Sequence, residues 1–134
     1  MGDIRKLLSP KTIALIGATE RENSVGRTVM ENLLLSKDRI VFPVNPGRKS
    51  ILGIPCYPSI THVPEHVDLA IIVTRADRTP GFVEACGKAG VDGIIIPSSG
   101  FSETGAAGKA LEDRVISAGK KYGVRIIGPS SMGI

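Results

Sequence analysis

The chain has 134 residues, of which 42% are apolar and 22% charged, and its net charge is +4. This is the length and composition of one globular domain with its own core. The mild basic excess favours an anionic ligand, although a solvated basic surface is the commoner explanation of such an excess. Three Phe, two Tyr and no Trp form no stacking platform, and no run of Lys and Arg exceeds two residues, which argues against nucleic acid. No apolar run approaches the ~18 residues of a membrane span, and no segment resembles a signal peptide.

The first predicted strand, Thr12–Ile16, runs into the turn Gly17-Ala18-Thr19, and a helix is predicted to open near Ser24. An apolar strand, a glycine turn and a helix start are typical of the phosphate-binding half of a nucleotide-binding α/β unit, because the free amides of a helix N-terminus hold anions. The dinucleotide pattern G-x-G-x-x-G is absent, since the next glycine after the turn is Gly26.

The second predicted strand, Ile40–Val44, is followed by Asn45-Pro46-Gly47-Arg48-Lys49. An NAD site needs an acidic residue near this position to bind ribose hydroxyls. Arg48 and Lys49 instead favour a ligand that carries one more phosphate than NAD.

Three further apolar runs, at 68–73, 93–96 and 124–127, read as strands that are buried on both faces. Helices are predicted between the strands. The first, between the first two strands, places Val25, Val29 and Leu33 on one side; the second begins at Thr79-Pro80, and the third runs from about 105 to 122. The fold class is therefore α/β, a Rossmann-like doubly wound parallel sheet of about five strands with helices on both faces. The expected strand order is 3-2-1-4-5.

The segment between the second and third strands holds three prolines and predicts a tight turn at Leu52-Gly53 and a short helix near Ser59. His62 and His66 have the spacing of a metal pair, but Pro64 breaks the helix that such a pair needs, so no metal site is predicted. Cys56 and Cys86 lack C-x-x-C spacing and indicate reduced thiols of a cytoplasmic protein.

In this topology the strand-end loops meet over one crevice, and five of them are small and rich in Gly, Pro, Ser or Asn. Each loop alone is explained by turn formation, whereas together they predict a nucleotide site. No residue has the setting of a general base or nucleophile, so no catalytic residue is predicted. The domain is expected to bind and not to react.

Taken together, the motifs resemble the CoA-binding domain of the NDP-forming acyl-CoA synthetases, the group that includes ADP-forming acetyl-CoA synthetase and the succinyl-CoA synthetase α subunit. The resemblance covers essentially the whole chain, and its specificity comes from the order and spacing of the motifs. The matching stretches are Ser9–Ala18, Ser24–Gly26, Val44–Pro46, Ile51–Gly53, Tyr57–Ile60, Val67–Ile71, Ser99–Gly105 and Ile127–Ile134.

The resemblance implies that the cofactor is coenzyme A. Its diphosphate would lie at Gly17, Ala18, Thr19, Ser24, Val25 and Gly26, and its adenosine end at Asn45, Pro46 and Arg48, with Arg48 on the 3′-phosphate. Pantetheine would pass Val73, Thr74, Arg75, Ala76, Ser98, Ser99 and Gly100, with the thiol toward Pro129 and Ser130. The chain departs from the family at Ser130-Ser131, where Asn-Cys is usual, and at Thr74-Arg75, where a Val-Pro-Ala turn is frequent.

The resemblance also implies that residues 1–134 are a piece of a longer ligase, whose phosphohistidine and ATP-grasp domains lie downstream or on another subunit. The partners expected are thus CoA or acyl-CoA and those ligase parts. Two alternatives remain open: a stand-alone CoA-binding regulatory protein, and an NADP-binding oxidoreductase domain with Arg48 and Lys49 on the 2′-phosphate.

Overall fold

The computed structural model describes residues 9–97 and 105–127. Five parallel strands form the main sheet: β1 (Thr12–Ile16), β2 (Ile40–Val44), β5 (Leu69–Ile72), β6 (Gly93–Ile95) and β7 (Arg125–Ile127). Between β2 and β5 a small antiparallel hairpin, β3 (Ser50–Ile51) and β4 (Ile54–Pro55), turns at the predicted Leu52-Gly53, and one 3-10 turn covers Ile60–His62. The predicted α/β class with a five-stranded parallel sheet is confirmed.

The predicted strand order was wrong. The sheet runs β2-β1-β5-β6-β7, so the third strand of the sheet pairs with β1 and not with β2, with Ile13 opposite Leu69. Pro43 explains the difference, because a proline within a strand has no N–H for a further neighbour and is confined to an edge. Tyr57 covers that edge, donating its N–H to the Pro43 carbonyl (2.9 Å) and accepting the Asn45 N–H (2.9 Å).

Helices cover both faces of the sheet: α1 (Val25–Leu34) on one, α2 (Thr79–Lys88) and α3 (Ala106–Tyr122) on the other. Alternate residues of β1 divide the core accordingly. Ile13 and Leu15 pack in the cluster that contains Met30 of α1, whereas Ala14 and Ile16 pack in the cluster of α2 and α3. Of the α1 stripe predicted above, Leu33 is buried as expected, but Val25 is 61% exposed.

Within residues 9–97 and 105–127, no helix has both the length and the apolar character that a membrane crossing requires.

The contact between α2 and α3 depends on a glycine. A Cβ built at Gly87 would lie 2.5 to 2.7 Å from the Cβ and ring atoms of Tyr122. The Tyr122 hydroxyl is fixed from the other side, because it donates to Glu84 Oε1 at 3.1 Å. The ring therefore has little room to retreat.

We expect Gly87→Ala to lower the free energy of unfolding by about 1–3 kcal/mol, because α3 must move to admit the methyl group. Gly81→Ala is the matched control in the same helix: its Cβ would meet nothing within 4 Å, and the substitution should stabilise α2 by up to about 1 kcal/mol. Urea unfolding measures both. Equal effects of the two substitutions would contradict this packing.

The two cysteines are free thiols with different surroundings. Burial raises the pKa of the Cys86 thiol to about 12. Partial burial also raises the pKa of Cys56, against the smaller opposing effects of backbone hydrogen bonding at Asn45 and Tyr57 and of the Arg48 charge. Only the thiolate reacts with disulfide reagents, so a raised pKa slows the reaction at pH 8. We expect Cys56 to react slowly with such a reagent and Cys86 only after unfolding. A Cys56→Ser variant that still reacts rapidly in the native state would contradict this.

Candidate functional site

A cleft of about 1070 Å³ lies at the carboxyl ends of β1, β2 and β5. This is where the strand order reverses, since the chain leaves β1 toward one edge of the sheet and later enters β5 on the other side of β1. The loops that follow β1 and β5 therefore separate, and the cleft opens between them. The residues bordering this cleft form the candidate site.

The floor of the cleft is the turn after β1, which α1 approaches closely. Gly17 has φ +94°, and a Cβ there would lie 2.8 Å from the Val73 carbonyl oxygen. A Cβ on Gly26, in the first turn of α1, would lie 2.7 Å from the Gly17 carbonyl oxygen. Only glycine at both positions lets helix, turn and β5 meet in this way. The N-terminus of α1 is thus held directly over the turn.

The N-terminus of α1 faces the cleft with amides that the helix does not use. Ser24 is the N-cap, and its hydroxyl accepts the Arg27 N–H at 3.2 Å. The amides of Val25 and Gly26 belong to the first turn and have no partner within the helix. Because no acidic residue occupies that turn, its partial positive charge is available to an anion.

Asn45 joins the second loop of the cleft to the first. Its Nδ2 donates to the Ala18 carbonyl (2.8 Å), and its Oδ1 accepts the Gly47 N–H (2.8 Å). Both polar atoms of the side chain are therefore used to hold the loops at a fixed separation. Asn45 lines the cleft, and the contacts of its side chain hold the two loops that border the cleft.

Glu20 makes a second connection across the same gap. Its Oε2 accepts the Leu52 N–H at 2.7 Å, and its Oε1 lies 3.4 Å from Nη1 of Arg48. Its backbone carbonyl accepts from Nη1 of Arg27 at 2.7 Å. The turn after β1, the Arg48 loop and the β3–β4 hairpin are thus tied together at one residue.

The described lining of the cleft is strongly basic. Its charged members are four arginines, Arg21, Arg48, Arg75 and Arg78, and a single carboxylate, Glu20. Arg75 pairs with Asp77 outside the lining, with Nε 3.3 Å from Oδ1. A cleft with this charge balance suits a ligand that carries several negative charges.

Most of the predicted site residues meet in this cleft. Twelve of them line it: Gly17, Thr19, Ser24, Val25, Gly26, Asn45, Pro46, Arg48, Val73, Thr74, Arg75 and Ala76. Ala18 does not, since it is fully buried beneath the turn and offers its carbonyl to Asn45. The predictions for Ser98, Ser99, Gly100, Pro129 and Ser130 lie outside the described residues.

Eight lining residues were not among the predicted site residues: Ile16, Glu20, Arg21, Val44, Pro58, Arg78, Phe82 and Pro97. Arg21 and Arg78 stand just before helix starts at the carboxyl side of the sheet, and that position was a usable signal. The sequence held no such signal for Glu20 and Pro58, because their positions at the cleft depend on how the β3–β4 hairpin folds back.

Neither histidine lines the cleft, and the two have different partners. His62 ends the 3-10 turn, with Nδ1 2.7 Å from the Ser59 hydroxyl. Nε2 of His66 lies 2.7 Å from Asp92 Oδ2 and 3.8 Å from Asp68 Oδ1, a cluster near the amino ends of β5 and β6. The backbone N–H of Lys11 also donates to Asp68 Oδ2 at 3.0 Å. The cluster ties the start of β1 to β5 and β6.

Comparison with known proteins gives a consistent result. ADP-forming acetate–CoA ligase I of Archaeoglobus fulgidus is 44% identical over 131 residues, covering 98% of this chain and 19% of the ligase. The α subunit of ADP-forming acetate–CoA ligase I of Pyrococcus furiosus is 37% identical over 136 residues, covering 98% of this chain and 29% of the subunit. The chain thus spans only about a fifth to three tenths of these relatives.

A solved structure agrees with these relatives. The dinucleotide-forming acetyl-coenzyme A synthetase 1 of Ca. Korarchaeum cryptofilum, in complex with phosphate and ADP, superposes with a TM-score of 0.90 at 35% identity over 96% of this chain and 28% of that one. The family described as the CoA binding domain matches residues 11–134. The chain therefore belongs to the CoA binding domain family, which confirms both the family and the cofactor that its motifs indicated.

Proposed function

We propose that the cleft at the ends of β1, β2 and β5 is where this chain holds coenzyme A. The observation that carries the proposal is the meeting of the α1 N-terminus, the Gly17 turn and Arg48 around one cleft. The CoA diphosphate is assigned to the first-turn amides of α1, and the 3′-phosphate to Arg48. These are the charged groups that distinguish CoA from apolar or neutral ligands.

Arg48 favours CoA over NAD for an electrostatic reason. The loop after β2 is where a dinucleotide-binding domain places the carboxylate that accepts ribose hydroxyls. In this chain, the carboxylate among the described lining residues is Glu20, and its two oxygens already contact the Leu52 N–H and Arg48. The phosphorylated ribose of CoA matches a guanidinium better than an unmodified ribose does. Family membership supports CoA over the NADP alternative, which has the same extra charge.

The pantetheine arm is assigned to the opening between β5 and α2. Val73, Thr74 and Ala76 line this side, and Phe82 and Pro97 add apolar surface. An uncharged chain with two amides suits such a mixed lining. The far end of the arm stays assigned, on the family resemblance alone, to Ser98 to Gly100 with Pro129 and Ser130, which lie outside the described residues.

We also propose that the chain is the CoA-holding part of an ADP-forming acyl-CoA ligase. Such an enzyme interconverts acyl-CoA, ADP and phosphate with the free acid, CoA and ATP. The similarity to ADP-forming ligases, of which the chain covers a fifth, supports this. The ATP-grasp and phosphohistidine parts would come from elsewhere in the enzyme, so the domain is not expected to turn over alone. The two free thiols support a reducing, cytoplasmic setting.

The assignment of the 3′-phosphate to Arg48 can be tested by ligand binding. Calorimetric titration should show saturable binding of CoA, weaker binding of dephospho-CoA, and still weaker binding of NAD. Arg48→Ala should weaken CoA binding about tenfold and leave dephospho-CoA nearly unchanged, because a charge-assisted contact to the 3′-phosphate is lost.

The matched control is Arg39→Ala, which removes an equal charge just before β2, at the opposite end of the strand from the cleft. If it weakens CoA binding as much as Arg48→Ala does, the effect is one of net charge and the assignment of Arg48 fails. A preference for NADPH over CoA would instead support the oxidoreductase alternative. CoA binding without any ligase activity on addition of the downstream domains would favour the stand-alone regulatory protein.

The assignment of the diphosphate to the start of α1 can be tested in the same way. Gly26→Ala forces a methyl group against the Gly17 carbonyl oxygen, so α1 must move away from the turn. Binding of both CoA and dephospho-CoA should fall at least tenfold, because both ligands carry the diphosphate. Gly47→Ala adds the same methyl group to the neighbouring loop at an ordinary 3.5 Å from Asn45 Oδ1 and should leave binding intact. Unchanged affinity in Gly26→Ala would place the diphosphate elsewhere.

A further inference from the structure

Glu20 is the only carboxylate among the described residues that line the cleft, and it lies where a polyanionic ligand is expected to bind. A carboxylate at that place repels the phosphates of such a ligand, so its presence calls for another role in the site. Its two carboxylate oxygens have different partners, Leu52 and Arg48. One oxygen thus contacts the backbone of the hairpin, and the other contacts the arginine assigned to the 3′-phosphate.

The Glu20 carboxylate is fixed on one side by a backbone N–H. Leu52 lies in the β3–β4 turn with φ +48°, so the hairpin determines the direction of its N–H, and that N–H meets Glu20 Oε2 at 2.7 Å. The Glu20 carbonyl is held in turn by Arg27 of α1 at 2.7 Å. Both the main chain and the side chain of Glu20 are therefore anchored.

On its other side the Glu20 carboxylate contacts Arg48, whose long side chain is 46% exposed. The loop of Arg48 is shaped by the Asn45 amide. Within residues 9–97 and 105–127, the contact recorded for its guanidinium is the one to the Glu20 carboxylate. The contact of Nη1 with Glu20 Oε1 uses one edge of the guanidinium. The Nε and Nη2 edge remains able to bind a phosphate with two parallel hydrogen bonds.

We propose that Glu20 is a positioning residue: it holds Arg48 in the orientation that binds the 3′-phosphate, and so sets the preference for CoA over its dephosphorylated form. This rests on the proposed function. The guanidinium would lie between the carboxylate and the phosphate, where it screens one anion from the other. Without Glu20, Arg48 must lose its rotamer freedom when the ligand binds, and this cost falls only on ligands that carry the 3′-phosphate.

The test is Glu20→Gln, which can still accept the Leu52 N–H through its amide oxygen but loses the charge that attracts Arg48. The dissociation constant for CoA should rise about threefold, whereas that for dephospho-CoA should stay unchanged. The double variant Glu20→Gln/Arg48→Ala should discriminate no less than Arg48→Ala alone, because both substitutions act on one contact. Glu22→Gln, which removes the same charge from an exposed neighbour, should change neither constant.

The ratio of the two dissociation constants separates the possible results. An equal loss for both ligands means that Glu20 only supports the fold, and tighter CoA binding means that its charge merely repels the phosphate. Either result overturns the inference while leaving CoA binding in place. If the unmodified chain binds CoA no better than dephospho-CoA, the assignment of Arg48 fails first, and the role of Glu20 with it.

Discussion

β1 and β5 lie side by side in the sheet, yet the helices that follow them pack on opposite faces, α1 on one and α2 on the other. The chain must therefore part at the carboxyl ends of these two strands, and the gap is the cleft. Its walls then follow from the local sequence: a glycine turn on one side, the 73–76 loop on the other, and the end of β2 beside them. The position of the site depends on this pairing more than on any single side chain.

Charge placement around the cleft runs against the usual preference of helices. Helix N-termini favour acidic residues, but neither α1 nor α2 has one in its first turn, and Arg78 is the N-cap of α2. Arg21 adds positive charge near the start of α1. Arg75 lies near the start of α2, where its ion pair with Asp77 offsets part of its charge. Basic residues at helix N-termini are locally unfavourable, and such violations are expected at functional sites, where a ligand supplies the missing negative charge. A polyanion such as the proposed CoA would supply that charge.

The sequence was enough to predict the elements, the parallel class and most of the cleft, because unbroken apolar runs and glycine turns are local signals. It also held the signal for the correct strand order, since Pro43 marks β2 as an edge strand. Val25 was misjudged because helical spacing cannot tell a core position from one at the rim of a cleft. The contacts of Glu20 were not predictable, because its partners lie 28 and 32 residues away and meet it only through the hairpin.

The pairing of Glu20 with Arg48 illustrates how stability and selectivity differ. Both side chains are more than one-third exposed, and such pairs contribute little to the free energy of folding. Selectivity is a difference between two affinities, however, and a contact that acts on only one ligand enters that difference in full. An arginine restrained before binding loses less freedom on meeting a phosphate than one that moves freely. A weak surface contact can thus be nearly silent in an unfolding experiment and still decide which of two related ligands the domain prefers.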